Sequence, residues 1–70
     1  MLRLKMSNHA ANKAKKRFCW SRGKAKAYFM QKFQLNEVPI GRRSVLDDGG
    51  VVWVVANDGH TVTIITLYPR

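Results

Sequence analysis

Two β-rich runs, Val51-Val52-Trp53-Val54-Val55 and Thr61-Val62-Thr63-Ile64-Ile65-Thr66-Leu67-Tyr68, flank Asn57-Asp58-Gly59-His60, and no other feature of the chain restricts the fold as much. β-Branched and aromatic residues suit a pleated, half-buried surface, and an Asp-Gly pair between two such runs is a strong local hairpin signal. With Asp58-Gly59 as a two-residue loop, Val55 faces Val62, Trp53 faces Ile64 and Val51 faces Thr66. That pairing gives one apolar face with Thr66 toward its end, and puts Val52, Val54, Thr61, Thr63 and Ile65 on the other. Ser44-Val45-Leu46 followed by Asp47-Asp48-Gly49-Gly50 adds a strand and a turn before it, which makes a C-terminal β-meander. The alternating Leu2, Leu4 and Met6 supply an edge strand with Arg3 and Lys5 toward water.

The first half has a different period. Ser7 or Asn8 caps a helix starting near His9, because a short side-chain oxygen satisfies free amides of the first turn. Ala10, Ala14 and Phe18 make its apolar stripe. Ser21 caps a second helix after a break at Trp20–Gly23, and Ala25, Phe29 and Phe33 repeat the four-residue spacing, widened by Tyr28 and Met30 toward Leu35. Asn36 to Gly41 ends it, with Pro39 as the stop. The expected fold class is therefore α+β: two N-terminal helices packed on a three- to four-stranded antiparallel sheet.

At 70 residues the chain forms one domain, spanning 1–70, and buries only about 60% of its extended surface. The single Cys19 rules out an internal disulfide, so the core carries the fold, and a homodimer would enlarge it. Phe29 and Phe33 read as core. Trp20 stands between core edge and exposed aromatic, since Trp20, Tyr28 and Phe29 interleave with cations as in a base-stacking surface. The longest apolar run, Val51 to Ala56, is six residues, too short for a membrane helix, and no apolar secretion segment follows Met1–Lys5. The expected setting is the cytoplasm, of a bacterial host if the chain is phage-encoded, with no membrane partner.

Charge is strongly segregated. Of 13 Lys and Arg residues, ten precede Leu35 (Arg3, Lys5, Lys13, Lys15, Lys16, Arg17, Arg22, Lys24, Lys26 and Lys32), where no acid occurs; all four acids follow it. Uncompensated like charges repel, so such an arrangement points to a polyanion or an acidic protein surface as partner, bound on one contiguous cationic face. Lys13, Lys15, Lys16, Arg17, Arg22, Lys24, Lys26, Arg42 and Arg43 are the candidate contacts. Arginine adds bidentate phosphate binding, and strand alternation leaves at most one of Arg42 and Arg43 on a given surface.

His9 is the most useful titratable group, because an imidazole moves protons near neutral pH, and Lys13 and Lys16 fall on its side of the helix. Spacing alone describes an ordinary first-turn surface residue better than an acid or base. Thr66 and Tyr68 share a strand face where hydroxyls can reach a phosphate, although a strand threonine commonly serves β propensity. His60 reads as a turn residue. No zinc spacing, glycine-rich phosphate loop or nucleophile elbow occurs, and Asp47 and Asp48 are adjacent turn formers pointing apart, so no metal or cofactor is expected.

Ser7-Asn8-His9-Ala10, the basic helix ending Lys15-Lys16-Arg17, the helix after Ser21 and the closing Val62-Thr63-Ile64-Ile65-Thr66-Leu67-Tyr68-Pro69 resemble small phage and prophage proteins. Those are similar to the ribonuclease-toxin fold group of barnase, colicin and RelE-type domains. The resemblance implies N-terminal helices on an antiparallel sheet, and metal-independent RNA cleavage by attack of a ribose 2′-hydroxyl on the adjacent phosphate. It further implies His9 as acid or base, Arg17 as phosphate ligand and Thr66 as a polar contact on the last strand. Active relatives commonly bring a second acid/base group, for which this chain offers Tyr68, His60 or a lysine. Two other readings stand beside it: a phage-type protein that binds and modulates an acidic host protein through its basic helices without catalysis, and a non-sequence-specific DNA binder.

Overall fold

Two serines divide the N-terminal half into helices of equal length. Ser7 is extended (φ −65°, ψ 159°) and its Oγ accepts the Ala10 N–H at 3.0 Å, opening α1 over Asn8–Phe18. Ser21 does the same for Lys24 at 3.2 Å and opens α2 over Arg22–Lys32. The computed structural model describes residues 2–70, so Met1, the start of the basic Met1–Lys5 segment, lies outside the described residues.

Cys19 breaks the chain between the helices by taking a left-handed conformation, φ 57°, while its N–H and that of Trp20 donate to the Lys15 and Ala14 carbonyls. A side chain in that region costs about 1–2 kcal/mol, of which glycine's greater chain entropy returns about 0.5–1. Cys19→Gly should therefore stabilise the protein by about 0.5–1 kcal/mol in urea unfolding under reducing conditions. An unchanged or lowered midpoint would show that the cap carries no strain.

α2 stops three residues short of Leu35. Phe33 is already extended (φ −134°, ψ 154°), yet its ring still packs on Phe29 at 5.0 Å, so the apolar stripe continues in space after the helix has ended. A 3-10 turn, Leu35–Glu37, follows, and Val38 is extended as the residue before Pro39 must be.

The strands are β1 (Arg3–Met6), β2 (Arg43–Asp47), β3 (Val51–Asn57) and β4 (Thr61–Pro69), in the sheet order β1-β4-β3-β2. β2, β3 and β4 form the expected meander. The sheet is mixed rather than antiparallel, because β1 pairs parallel to β4, Leu4 against Val62 and Met6 against Ile64. A hairpin forces its strands antiparallel, whereas both helices, β2 and β3 intervene between β1 and β4 and impose no such constraint.

The β3–β4 register also differs from the sequence expectation. Val55 faces Ile64, Trp53 faces Leu67 and Val51 faces Pro69. The Asp58 carboxylate accepts the His60 and Thr61 N–H groups at 2.8 and 2.7 Å, and Asp58 N–H donates to Thr61 O, so Asp58 closes the loop instead of occupying its centre. Gly59, at φ 94°, supplies the left-handed turn residue. A register shift between Val54 and Val55 leaves Ile65 as an extra residue, which turns Leu67 inward in place of Thr66.

Both helices cover one face of the sheet. Trp53, Val55, Val62, Ile64 and Leu67 are buried there beneath Ala10, Ala14, Ala25 and Phe29. Trp20 belongs to this core: it stacks on Phe18 at 4.6 Å, packs on Tyr28 at 4.9 Å and lies 6.2 Å from Trp53. Its ring is thus no open platform for bases. Asn57, buried on the same face, donates through Nδ2 to Val38 O at 2.8 Å and ties the segment before β2 to β3. Among the described residues no helix is long and apolar enough to cross a membrane.

Candidate nucleic-acid interface

Among the described residues no N-terminal cation forms an ion pair with a carboxylate, although the field of Lys32 reaches Asp48. Among the described residues the one ion pair joins Arg70 and Asp47 at 3.1 Å. The cations do not form the single face expected of them, because helix and strand send their side chains to opposite sides. Lys15, Lys16 and Lys24 project from the exposed side of the helices, whereas Arg3, Lys5 and Arg43 stand on the sheet face that the helices leave bare. Arg22 and Lys26 lie beside β1, where the two sides meet.

α1 is moored along the edge of β4 that β1, ending at Met6, leaves open. Ser7 N–H donates to Ile64 O at 3.0 Å, Ser7 Oγ to Ile65 O at 2.9 Å, and Arg17 Nη1 to Leu67 O at 3.0 Å. His9, Lys13 and Arg17 follow one another at four-residue spacing along one flank of α1. Because Arg17 reaches the β4 backbone, that flank runs beside Ile65–Leu67, the stretch that contains Thr66. His9 is exposed at its start, Lys13 half-buried, and Thr66 half-buried on the bare face opposite Val54. The structure thus brings Arg17 and Thr66 to one segment of β4. Tyr68 lies on the same face, opposite Val52.

Two of the arginines hold the fold together. Arg17 caps a sheet-edge carbonyl, and Arg22 donates to Met6 O and, at 2.9 Å, to Asn8 Oδ1, pinning the start of α2 to the β1–α1 junction. Neither bond is visible as a spacing in the sequence. His60 sits in the turn between β3 and β4, five residues before Ile65.

Two clefts open on the cationic surface. One, of about 400 Å³, is lined by Arg42, Arg43, Ala56, Asp58 and Thr63. Both arginines line it, contrary to the strand-alternation argument, because Arg42 precedes β2 and only Arg43 obeys the strand's alternation. Asp58 is its one acid; N–H donors from His60 and Thr61 hold that carboxyl below the usual range, so it stays charged. The second cleft, of about 500 Å³, takes Lys5, Asn8, Arg22, Lys26 and Thr63 from β1, both helices and β4, and includes no acid. Lys5 and Thr63 were not among the residues expected from sequence, although β1 alternation already turned Lys5 away from the core.

No protein-family model, curated protein or solved structure matches the chain.

Proposed function

We propose that this protein binds RNA through its phosphodiester backbone and cleaves it without metal, as its resemblance to ribonuclease toxins implies. The observation that carries the binding is the shortage of counter-charge: ten cations precede Leu35, the one ion pair among the described residues involves none of them, and Lys32 acts on Asp48 without pairing with it. Mutual repulsion of that kind is relieved when phosphates displace the counterions. The resemblance implies helices on one side of an antiparallel sheet; the helices are there, but β1 makes the sheet mixed, so the layout supports the reading only in part.

For the chemistry, His9 is the proton-transfer group and Arg17 and Lys13 are the positive charges on its flank of α1. The 2′-oxygen attacks the neighbouring phosphorus as its proton passes to the imidazole, the bond from phosphorus to the 5′-oxygen breaks, and that oxygen takes a proton from solvent water, giving a 2′,3′-cyclic phosphate and a 5′-hydroxyl. His9 is exposed in the first turn of α1, and its imidazole makes no hydrogen bond among the described residues, so His9→Ala leaves the structure intact.

Total RNA incubated with the protein in chelator should yield cyclic-phosphate ends, and His9→Ala should slow their formation by about 10²–10⁴-fold. Equal cleavage by the variant removes His9 from the mechanism; retention of RNA with no products reduces the function to binding. The competing reading, an acidic host protein as partner, gains from failure to bind RNA together with one stoichiometric protein recovered from a nuclease-treated lysate.

A further inference from the structure

The strand registers align four residues on the bare face of the sheet. Lys5 of β1 pairs with Thr63 of β4, Thr63 with Ala56 of β3, and Ala56 with Arg43 of β2. Paired residues share a face, so one row crosses all four strands with a cation at each end and two short side chains between them. With strands about 4.8 Å apart, Lys5 and Arg43 stand about 14 Å from each other across the sheet. The two clefts lie at the two ends of this row and share Thr63. They are therefore parts of one trough. Arg22 and Lys26 join Lys5 at one end, and Arg42 joins Arg43 at the other.

The flanks of the trough differ in character. Toward the β2–β3 turn lie Thr66, Val54 and Val45 in the next row, then Tyr68, with Val45 64% and Tyr68 39% exposed. On the other side stand Arg3 and Thr61. A cationic row beside an exposed apolar and aromatic strip matches a strand whose phosphates and bases point in different directions. A duplex turns its bases inward and offers nothing to Val45 or Tyr68.

We propose that the row Lys5–Thr63–Ala56–Arg43 is the track of a single-stranded RNA segment that crosses the strands, phosphates at the two cationic ends and bases over Val54, Val45 and Tyr68. This deepens the RNA reading and rests on it. It shifts the principal contacts from the outer surface of the helices to the opposite side of the molecule. Asp58 borders the arginine end, where its Oδ1 is bonded to the His60 and Thr61 amides.

The test is binding of a short fluorescein-labelled oligouridylate by anisotropy at low salt. Thr63→Glu and Ala56→Glu each place a negative charge on the floor of the track; Gln31→Glu makes the same change of net charge on exposed α2. The floor variants should weaken binding by about tenfold more than Gln31→Glu, since only they set a carboxylate beside the phosphates. Should the floor variants perturb the sheet, Lys5→Ala with Arg43→Ala, both exposed, should give a comparable loss and a shallower dependence of affinity on salt. Wild-type binding with equal losses in floor and control variants overturns the track and leaves the RNA reading standing. Failure of the wild type to bind overturns both, and tighter binding of a duplex of the same length overturns the single-stranded track.

Discussion

Trp53→Ala is expected to remove about half of the stability of the chain. Trp53 is fully buried, and its ring meets Phe29 edge-on at 5.2 Å and faces Trp20 and Tyr28 at 6.2 and 6.4 Å. Removing it takes the shared partner away from α2, the interhelical break and the sheet together. Truncation of a buried Trp to Ala costs about 3–5 kcal/mol, whereas a chain of this length has roughly 4–10 kcal/mol in all. A urea midpoint lowered by about half, with weakened near-ultraviolet dichroism, is the expected readout. Trp53→Phe keeps most of the apolar volume and loses the indole bond to Asp48, so it should fold with a deficit of about 1–2 kcal/mol. A Trp53→Ala variant that unfolds at the wild-type urea concentration would show that the aromatic cluster is not the centre of the core.

The elements were legible in the sequence where their causes are local. Ser7 and Ser21 cap their helices with side chains that act within three residues, and the β-branched run at Val51–Val55 forms a strand on its own pattern. What stayed hidden depends on contacts remote in sequence or on one side chain's choice of partner. The parallel pairing of β1 is fixed by the return of a chain segment more than fifty residues later. The hairpin register turns on whether the Asp58 carboxylate binds the amides beyond it, and the extra residue at Ile65 leaves no mark on an alternation that reads equally well without it.

The candidate interface shows the same division. The segregation of charge is a count and was legible at once; the side to which each cation points was not. Arg17 and Arg22 look like free cations in a basic helix, and only the folded chain brings Leu67 O and Met6 O within their reach. The Lys5–Arg43 row exists because three separate registers agree, so no window of sequence contains it.

Asp48 joins the β2–β3 turn to the core, and its replacement should change both stability and acid sensitivity. Its Oδ1 accepts the Gly50 and Val51 N–H groups at 2.9 and 2.7 Å, and its Oδ2 accepts the Trp53 indole N–H at 3.2 Å. Burial opposes the charge, but the Gly50 and Val51 amides, the Trp53 indole and the field of Lys32 outweigh it and hold the carboxyl below its usual range. Asp48→Ala strands the indole N–H in the core and frees the turn, at a cost of about 2–3 kcal/mol. Because the folded carboxyl is the stronger acid, its stabilisation is complete above the unfolded value near 3.9 and is lost as pH falls through that value and on through the folded one. Wild-type urea midpoints should therefore drop between pH 5 and pH 3, and Asp48→Asn, uncharged throughout, should start lower and drop less. Parallel pH profiles for the two proteins would show that the turn is held by backbone geometry alone, with no part played by the ionised carboxylate.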